Sequence, residues 1–407
     1  MRTSSIPIGP PPAAPAPRSE EDEFALTCMS MAETLSANRI RRLIEAAGSP
    51  AAVLTQDVES LTHRSGLMAT DVERLRTQVQ AEPLRLAATR DHKARQAHGV
   101  RLLTVQDPDY PPLLKAAPDP PLALWVWGVL QPQDVYAVAI LGSSRCSEYG
   151  AGQTKRFARR LAEYGLTVVN GGEVGIDAVA LEAALETGGR AVACLGAGLH
   201  NHGRPHHGLY ERLVESGQGA VISCAALQTP ANPANQVMGD YAVAGMSIAM
   251  LITEAALHSG ALIAARIAHE QLGRDLFSLC DQIDSSHARG TLRLIAERRA
   301  RLTLDPDTLF QYLIESTDKL AHQVSRQARP LPLLNHNFGR SRDPFQVPLT
   351  EIQRRCVESL RTSMTPDQLA EATGLPVSQT RSSLHQLALA GILAKSLNRF
   401  DWPTTYL

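Results

Sequence analysis

Between Tyr136 and Leu313, six short runs built mostly from Val, Ile, Leu and Ala alternate with longer amphipathic stretches. The runs are "VAILG", "GLTVVNG", "RAVACLG", "AVISC", "SIAMLITEA" and "DLFSLC". The stretches between them, such as "GQTKRFARRLAEYG", "GIDAVALEAALETGG" and "GALIAARIAHEQLG", repeat their apolar residues at helical spacing. A strand that is apolar on every residue has no side to give to water, so both sheet faces must be covered. Helical connections also suit crossovers between parallel strands rather than hairpins. The expectation is an α/β chain whose centre is a doubly wound, mostly parallel, Rossmann-like sheet.

In such a sheet, ligands bind beyond the carboxyl ends of the strands, where helix N-termini present free N–H groups. Glycine-bearing turns fall at those ends: Gly142-Ser143-Ser144-Arg145, then Gly171-Gly172 with Gly175-Ile176-Asp177, then Gly196-Ala197-Gly198, then Ser259-Gly260. Together they suggest a rim for an anion or a nucleotide backbone. Asp177 can accept from a ribose hydroxyl or cap the N–H groups of its own helix. Arg266, inside "ALIAARIAHEQL", either snorkels to water, pairs with an acid or meets a phosphate, the last two being favoured. There is no GxGxxG, GxxxxGK[ST], GxSxG or HExxH pattern, so catalytic candidates are scarce, and Glu173 is the sole candidate for ribohydrolase chemistry. His200, His202, His206 and His207 share one loop without a nearby Cys or carboxylate, which reads as a solvated loop rather than a metal site. The six cysteines lie far apart with no CxxC pair, as reduced, mostly buried thiols would. No cofactor is expected.

The flanks differ in character. Residues 1–24, rich in Pro and Ala and ending in an acidic run, read as a disordered tail. Residues 25–99 read as a helical domain of the helix-hairpin-helix kind, in which Arg41, Arg42 and Lys93 form the useful basic group; a packing module is the alternative. A Pro-rich lead-in opens the core domain, 100–317, and its "LALWVWG" is expected to dock as an edge element. Residues 318–343 carry five Lys/Arg against two Asp and read as a linker. In 344–407 a helix capped at Thr365, a turn at Gly374, a second helix from Pro376 and "GILAKSLNRFDW" as the wing suggest a winged helix. No apolar run reaches the roughly eighteen residues that span a bilayer, and the N-terminus lacks a secretory core, so a cytoplasmic location is expected. The net charge of −1 gives no general attraction to nucleic acid.

The order of "DPDYPPLLKAAPDPPLALWVWG", "VAILGSSRCSEYG", "GIDAVALEAAL", "CLGAGL", "EAALHSGALIAARIAHEQLGR" and "IDSSHARGTLRLI" resembles the DprA/Smf family of DNA-processing proteins of bacterial transformation. The resemblance covers about residues 30–407. It implies a homodimer that binds single-stranded DNA at the strand ends and hands it to a RecA-type recombinase, without catalysis. It carries DNA or phosphate contact to Gly142, Ser143, Gly171, Gly175, Asp177, Gly198, Ser259, Gly260 and Arg266, and Ser144, Arg145 and Gly172 complete the same turns. Several cationic positions depart from the family pattern. Ser144 stands where an arginine is usual, Glu173-Val174 replaces an Ala-Arg pair, Leu181 replaces a histidine, and Met238-Gly239-Asp240-Tyr241 replaces a basic stretch. From Asp134 to Thr317 the chain holds 15 Lys/Arg against 19 Asp/Glu. Fewer phosphate contacts imply weaker, less salt-sensitive binding. The alternative is a diverged member that senses a nucleotide-derived ligand or serves as a protein scaffold.

Overall fold

The computed structural model describes residues 18–32, 34–201, 207–327, 349–360, 363–396 and 399–401. Its centre is a nine-stranded sheet in the order β1-β2-β6-β5-β4-β3-β7-β8-β9. The six expected runs are β3 (Ala137–Gly142), β4 (Thr167–Asn170), β5 (Ala191–Leu195), β6 (Gly219–Ser223), β7 (Ser247–Glu254) and β8 (Asp275–Ser278). Each pairs in parallel with its neighbours among these six. The short β9 (Arg301–Leu302) extends the parallel set.

The lead-in differs from its reading. "LALWVWG" supplies β2 (Ala123–Gly128), which lies inside the sheet, antiparallel to β6 on one side and to β1 (Val100–Thr104) on the other. The edge is therefore β1, a strand that the Pro-rich sequence after it obscures.

Strand alternation assigns the two faces. Val138, Ile140, Val168, Ala193, Val221 and Leu251 face one core with Phe157 and Leu161 of α8 (Glu148–Glu163), Leu181 of α9 (Ile176–Glu186), Leu213 of α10 (His207–Glu215) and Phe310 of α14 (Pro306–Gln327). Ala139, Leu141, Val169, Val192, Ile222 and Ile252 face another with Val243 of α11 (Pro233–Met246), Ala264 of α12 (Ala261–Arg266) and Leu294 of α13 (Arg289–Ala296). This is the doubly wound arrangement, with the period-two pleat separating the layers. At the amino ends of the strands, Arg190 clamps Asp134 through two 2.8 Å bonds, and Thr167 Oγ1 donates to the same carboxylate at 2.8 Å. That edge is closed by structure, so the open loops lie at the carboxyl ends.

Six helices, α1 (Glu20–Met31) to α6 (Glu82–His98), precede the sheet. Helix α1 begins inside the segment read as a tail; residues 1–17 lie outside the described residues. Asp91 of α6 fastens this unit to the core by accepting from Trp125 Nε1 at 3.0 Å and Leu227 N at 2.8 Å, while Arg95 Nε of the same helix donates to it at 3.0 Å. The glycine turns here are helix C-caps: Gly48 N donates to Ile44 O and Gly66 N to Thr62 O, each at 2.8 Å. Arg41 reaches Pro120 O and Arg42 reaches Ser65 O, so both brace the backbone instead of forming a basic group with Lys93.

Helix α14 runs to Gln327, so the expected linker starts about ten residues later than read; 328–348 lie outside the described residues. The C-terminal unit contains α15 (Glu351–Ser359), α16 (Pro366–Thr373), α17 (Val377–Leu389) and an antiparallel hairpin of β10 (Ala394–Ser396) and β11 (Arg399–Asp401). Thr365 and Gln368 form a capping box at α16, and Gly374 ends it in the left-handed region. This unit leans on the core, where His385 stacks on Tyr164 with ring centroids 4.0 Å apart and Gln386 Nε2 donates to Gly165 O at 2.8 Å.

Candidate nucleic-acid interface

From β3 the chain winds outward through β4, β5 and β6, then returns to form β7 on the other flank of β3. The turns after β3 and β7 therefore leave in opposite directions and open the switch-point crevice of the sheet. The turn after β3 is held from two sides. Ser143 N donates to Glu254 O at 2.9 Å and Ile176 N donates to Ser143 O at 3.2 Å. Gly175 has φ 83° and ψ −126°, and a Cβ there would stand 2.5 Å from both Ser143 O and Ser144 O. A Cβ on Gly142 would stand 2.6 Å from Ile176 and 2.7 Å from Glu254 O. Close approach of three loops accounts for both glycines without a ligand.

Ser144 and Arg145 project from this turn, exposed and without a hydrogen bond or ion pair among the described residues. Two residues on, Ser147 caps α8, its Oγ accepting from Gly150 N at 2.9 Å. Its N donates to the Glu254 carboxylate at 3.1 Å, and its hydroxyl donates there too. Glu254 is 2% exposed. From the other flank His287 Nδ1 lies 3.3 Å from Glu254 Oε1, and Gly290 N donates to Ala255 O at 2.7 Å. The exposed Arg289 lies in sequence between those two positions, on the loop that His287 ties to the buried acid, while Arg145 stands on the loop that Ser147 ties to it. Sequence reasoning missed Glu254, His287 and Arg289. Ser147 and Glu254 are 107 residues apart, and only the return of the chain to β7 makes them neighbours.

The second turn is already satisfied. Gly171 N donates to Asp177 Oδ2 at 3.0 Å, Gly172 N to Asn170 Oδ1 at 2.9 Å, and Tyr210 OH to Gly172 O at 2.7 Å. Asp177 is 3% exposed, and burial pushes its carboxyl up against the opposing pull of the Glu173 and Gly171 amides. It ties the loop before its own helix, accepting from amides ahead of α9 rather than from those of the helix. Gly171 and Gly172 have no N–H left for a phosphate. Gly198 N likewise donates to Thr229 O at 2.9 Å, which ties this turn to the loop after β6.

Ser259 N donates to Ala256 O at 3.1 Å, and Gly260 starts α12 with helical φ −55° and open space where a Cβ would be. Arg266 ends α12 exposed and, among the described residues, pairs with no acid. The basic face of α8 is different. Lys155, 3.3 Å from Glu186, shares that acid with Arg159, and Arg160 holds Asp307 at 2.9 Å and Glu163 at 3.0 Å. Those charges are balanced locally. On α11, Asp240 lies near the second turn, and burial together with the Glu173 charge pushes its carboxyl up to about 7.

Among the described residues, no group of three or more His, Cys, Asp or Glu is placed to hold a metal; His202 and His206 lie outside them. His200 packs edge-on against His98 at 4.7 Å. No described helix is long and apolar enough to cross a membrane.

The chain is similar to protein Smf of Escherichia coli, 34% identical over 287 residues that make up 70% of this chain and 72% of that one. It is also similar to protein Smf of Synechocystis, 30% identical over 319 residues, 74% of this chain and 79% of that one. The X-ray structure of DNA processing protein A from Streptococcus pneumoniae superposes with a TM-score of 0.56 at 22% identity, covering 71% of this chain and 96% of that one, a likeness of fold. The family model for DNA recombination-mediator protein A matches residues 101–314, from β1 into α14. With more than half of its length inside that match, the chain belongs to the DNA recombination-mediator protein A family, the DprA/Smf proteins of DNA processing.

Proposed function

We propose that this protein binds single-stranded DNA at the switch-point crevice between β3 and β7 and acts there by binding rather than by bond cleavage. The carrying observation is that two exposed arginines without an acidic partner among the described residues, Arg145 and Arg289, stand on the two loops that Ser147 and His287 tie to Glu254. Exposed arginines are the electrostatic footprint of backbone recognition, whereas the paired cations of α8 are not. Exposed Arg266 extends the cationic set on α12. Few unpaired cations mean a shallow salt dependence, in keeping with the net negative charge of residues 134–317.

Delivery of the strand to a RecA-type recombinase, a homodimeric assembly and a winged-helix reading of the C-terminal unit are parts of the same proposal, supported by the family. The test is an anisotropy titration of an unstructured 20-nucleotide strand at low salt. Micromolar or tighter binding that weakens in Arg145→Ala and Arg289→Ala is the expected result. Absence of binding at micromolar protein, or binding indifferent to both substitutions, overturns it.

A further inference from the structure

Tyr149 is 48% exposed, and no other Phe, Tyr or Trp among the described residues is exposed. The remaining large apolar side chains open to solvent are all aliphatic. This single exposed aromatic stands in the first turn of α8, two residues past the capping Ser147 and four past the exposed Arg145. Its side chain is also held. The hydroxyl donates to Cys280 O at 3.2 Å, a contact between residues 131 positions apart. Cys280 lies just beyond β8, at the head of the segment that leads to His287 and Arg289, and Ile283 on that segment is 81% exposed.

The bond at its tip restrains the ring while half of the residue stays open. An aromatic restrained before its ligand arrives forfeits little conformational freedom on binding. Chain length limits the separation from the nearest cation: four residues span at most about 14 Å, so Arg145 and Tyr149 lie within reach of one short stretch of strand. A bare phosphate has no use for an aromatic ring. A nucleotide brings both an anion and a flat π face.

We propose that the Tyr149 ring is a stacking platform for one unpaired nucleobase of the strand whose phosphates meet Arg145. Bases of a single strand are free to turn out onto such a surface. Every base has a π face, so the contact serves any sequence and adds affinity where few cations are available. The tie to Cys280 O keeps the ring in place and joins the base contact to the segment that carries Arg289. The inference rests on the single-strand reading above and adds to it the part of the nucleotide that the arginines leave untouched.

The test measures, by anisotropy on the full chain at low salt, a dT 20-mer against a 20-mer of abasic residues with the same phosphates, using wild type, Tyr149→Ala, Tyr149→Phe and Arg145→Ala. Tyr149→Ala should weaken dT binding at least fivefold and abasic binding less than twofold, the loss expected of one base–aromatic stack. Tyr149→Phe keeps the π face and should stay within twofold of wild type on both strands. Arg145→Ala should weaken both strands alike. Retained abasic binding in Tyr149→Ala shows that the crevice is intact. Equal losses on the two strands, a dT loss below twofold, or a Tyr149→Phe as weak as Tyr149→Ala overturns the proposal, the last by assigning the effect to the hydroxyl tie. In each of those cases wild type still binds and the single-strand reading stands; if wild type binds neither strand, that reading fails and this one with it.

Discussion

Replacing Gly175 by alanine tests whether the glycines of the rim serve the fold or a ligand. At φ 83° and ψ −126° the backbone occupies a region open in practice to glycine alone, and an L-residue there costs about 1–3 kcal/mol. The new Cβ would also sit 2.5 Å from the carbonyl oxygens of Ser143 and Ser144, where a carbon–oxygen contact needs about 3.3 Å. One loop must retreat by nearly an ångström, which strains the 3.2 Å bond from Ile176 N to Ser143 O and the 2.9 Å bond from Ser143 N to Glu254 O. At about 1 kcal/mol each, these bring the total to about 3–5 kcal/mol. The corresponding fall in melting temperature is roughly 6–20 °C. Gly260→Ala is the control on the same rim: its φ of −55° is already helical and nothing lies within 4 Å of the added methyl, so stability should hold or rise by up to about 1 kcal/mol. Urea unfolding followed by circular dichroism reads both. If Gly175→Ala unfolds within 1 kcal/mol of wild type while losing DNA affinity, the glycine is kept for the ligand and the packing argument is wrong.

Asp134→Asn leaves the buried Arg190 without its anion and should cost about 3–5 kcal/mol in urea unfolding, whereas joint replacement of the pair by Leu and Met should recover most of it; a mild single substitution refutes the clamp. Plots of log affinity against log salt should lose about 0.7 of slope in each of Arg145→Ala and Arg289→Ala, and none in Arg159→Ala, whose guanidinium already holds Glu186; equal losses in all three would refute the division of labour. Asp240 keeps its proton up to about pH 7 when folded, but an unfolded chain releases it near the ordinary value of 3.8. The folded state therefore holds more protons between those values, and stability falls as pH rises from about 4 to 7. Buried Asp177 slopes the same way. Asp240→Asn should flatten part of this decline and exceed wild type at pH 8 by on the order of a few kcal/mol; parallel pH profiles for the two proteins would exclude a buried ionisable Asp240.

Much of the core was legible because period is a local property. A run such as "AVACL" admits few solutions besides a strand covered on both faces, and the helices between such runs are long enough to force parallel crossovers. The glycine turns were correctly located at strand ends for the same reason. Their chemistry was not legible, because a glycine required by a neighbouring carbonyl and a glycine required by a phosphate are the same letter. At Gly171 and Gly172 the amides belong to Asp177 and Asn170, and at Gly198 to Thr229. Likewise the letters "KRFARR" do not show that Glu186 and Asp307, from α9 and the start of α14, come to meet Arg159 and Arg160.

The amino-acid sequence by itself determined the six parallel core strands and the helices between them, since both are written in local spacing, and its ordered segments carried the family resemblance with its missing arginines. Tertiary structure alone decided which cations find an acid, that the loops carrying Arg145 and Arg289 are both tied to Glu254, and that Asp240 lies largely buried within electrostatic reach of Glu173 and Asp177. The physical reason is that pairing and burial depend on groups brought close by the crossovers of the sheet, from positions tens to more than a hundred residues apart in the chain.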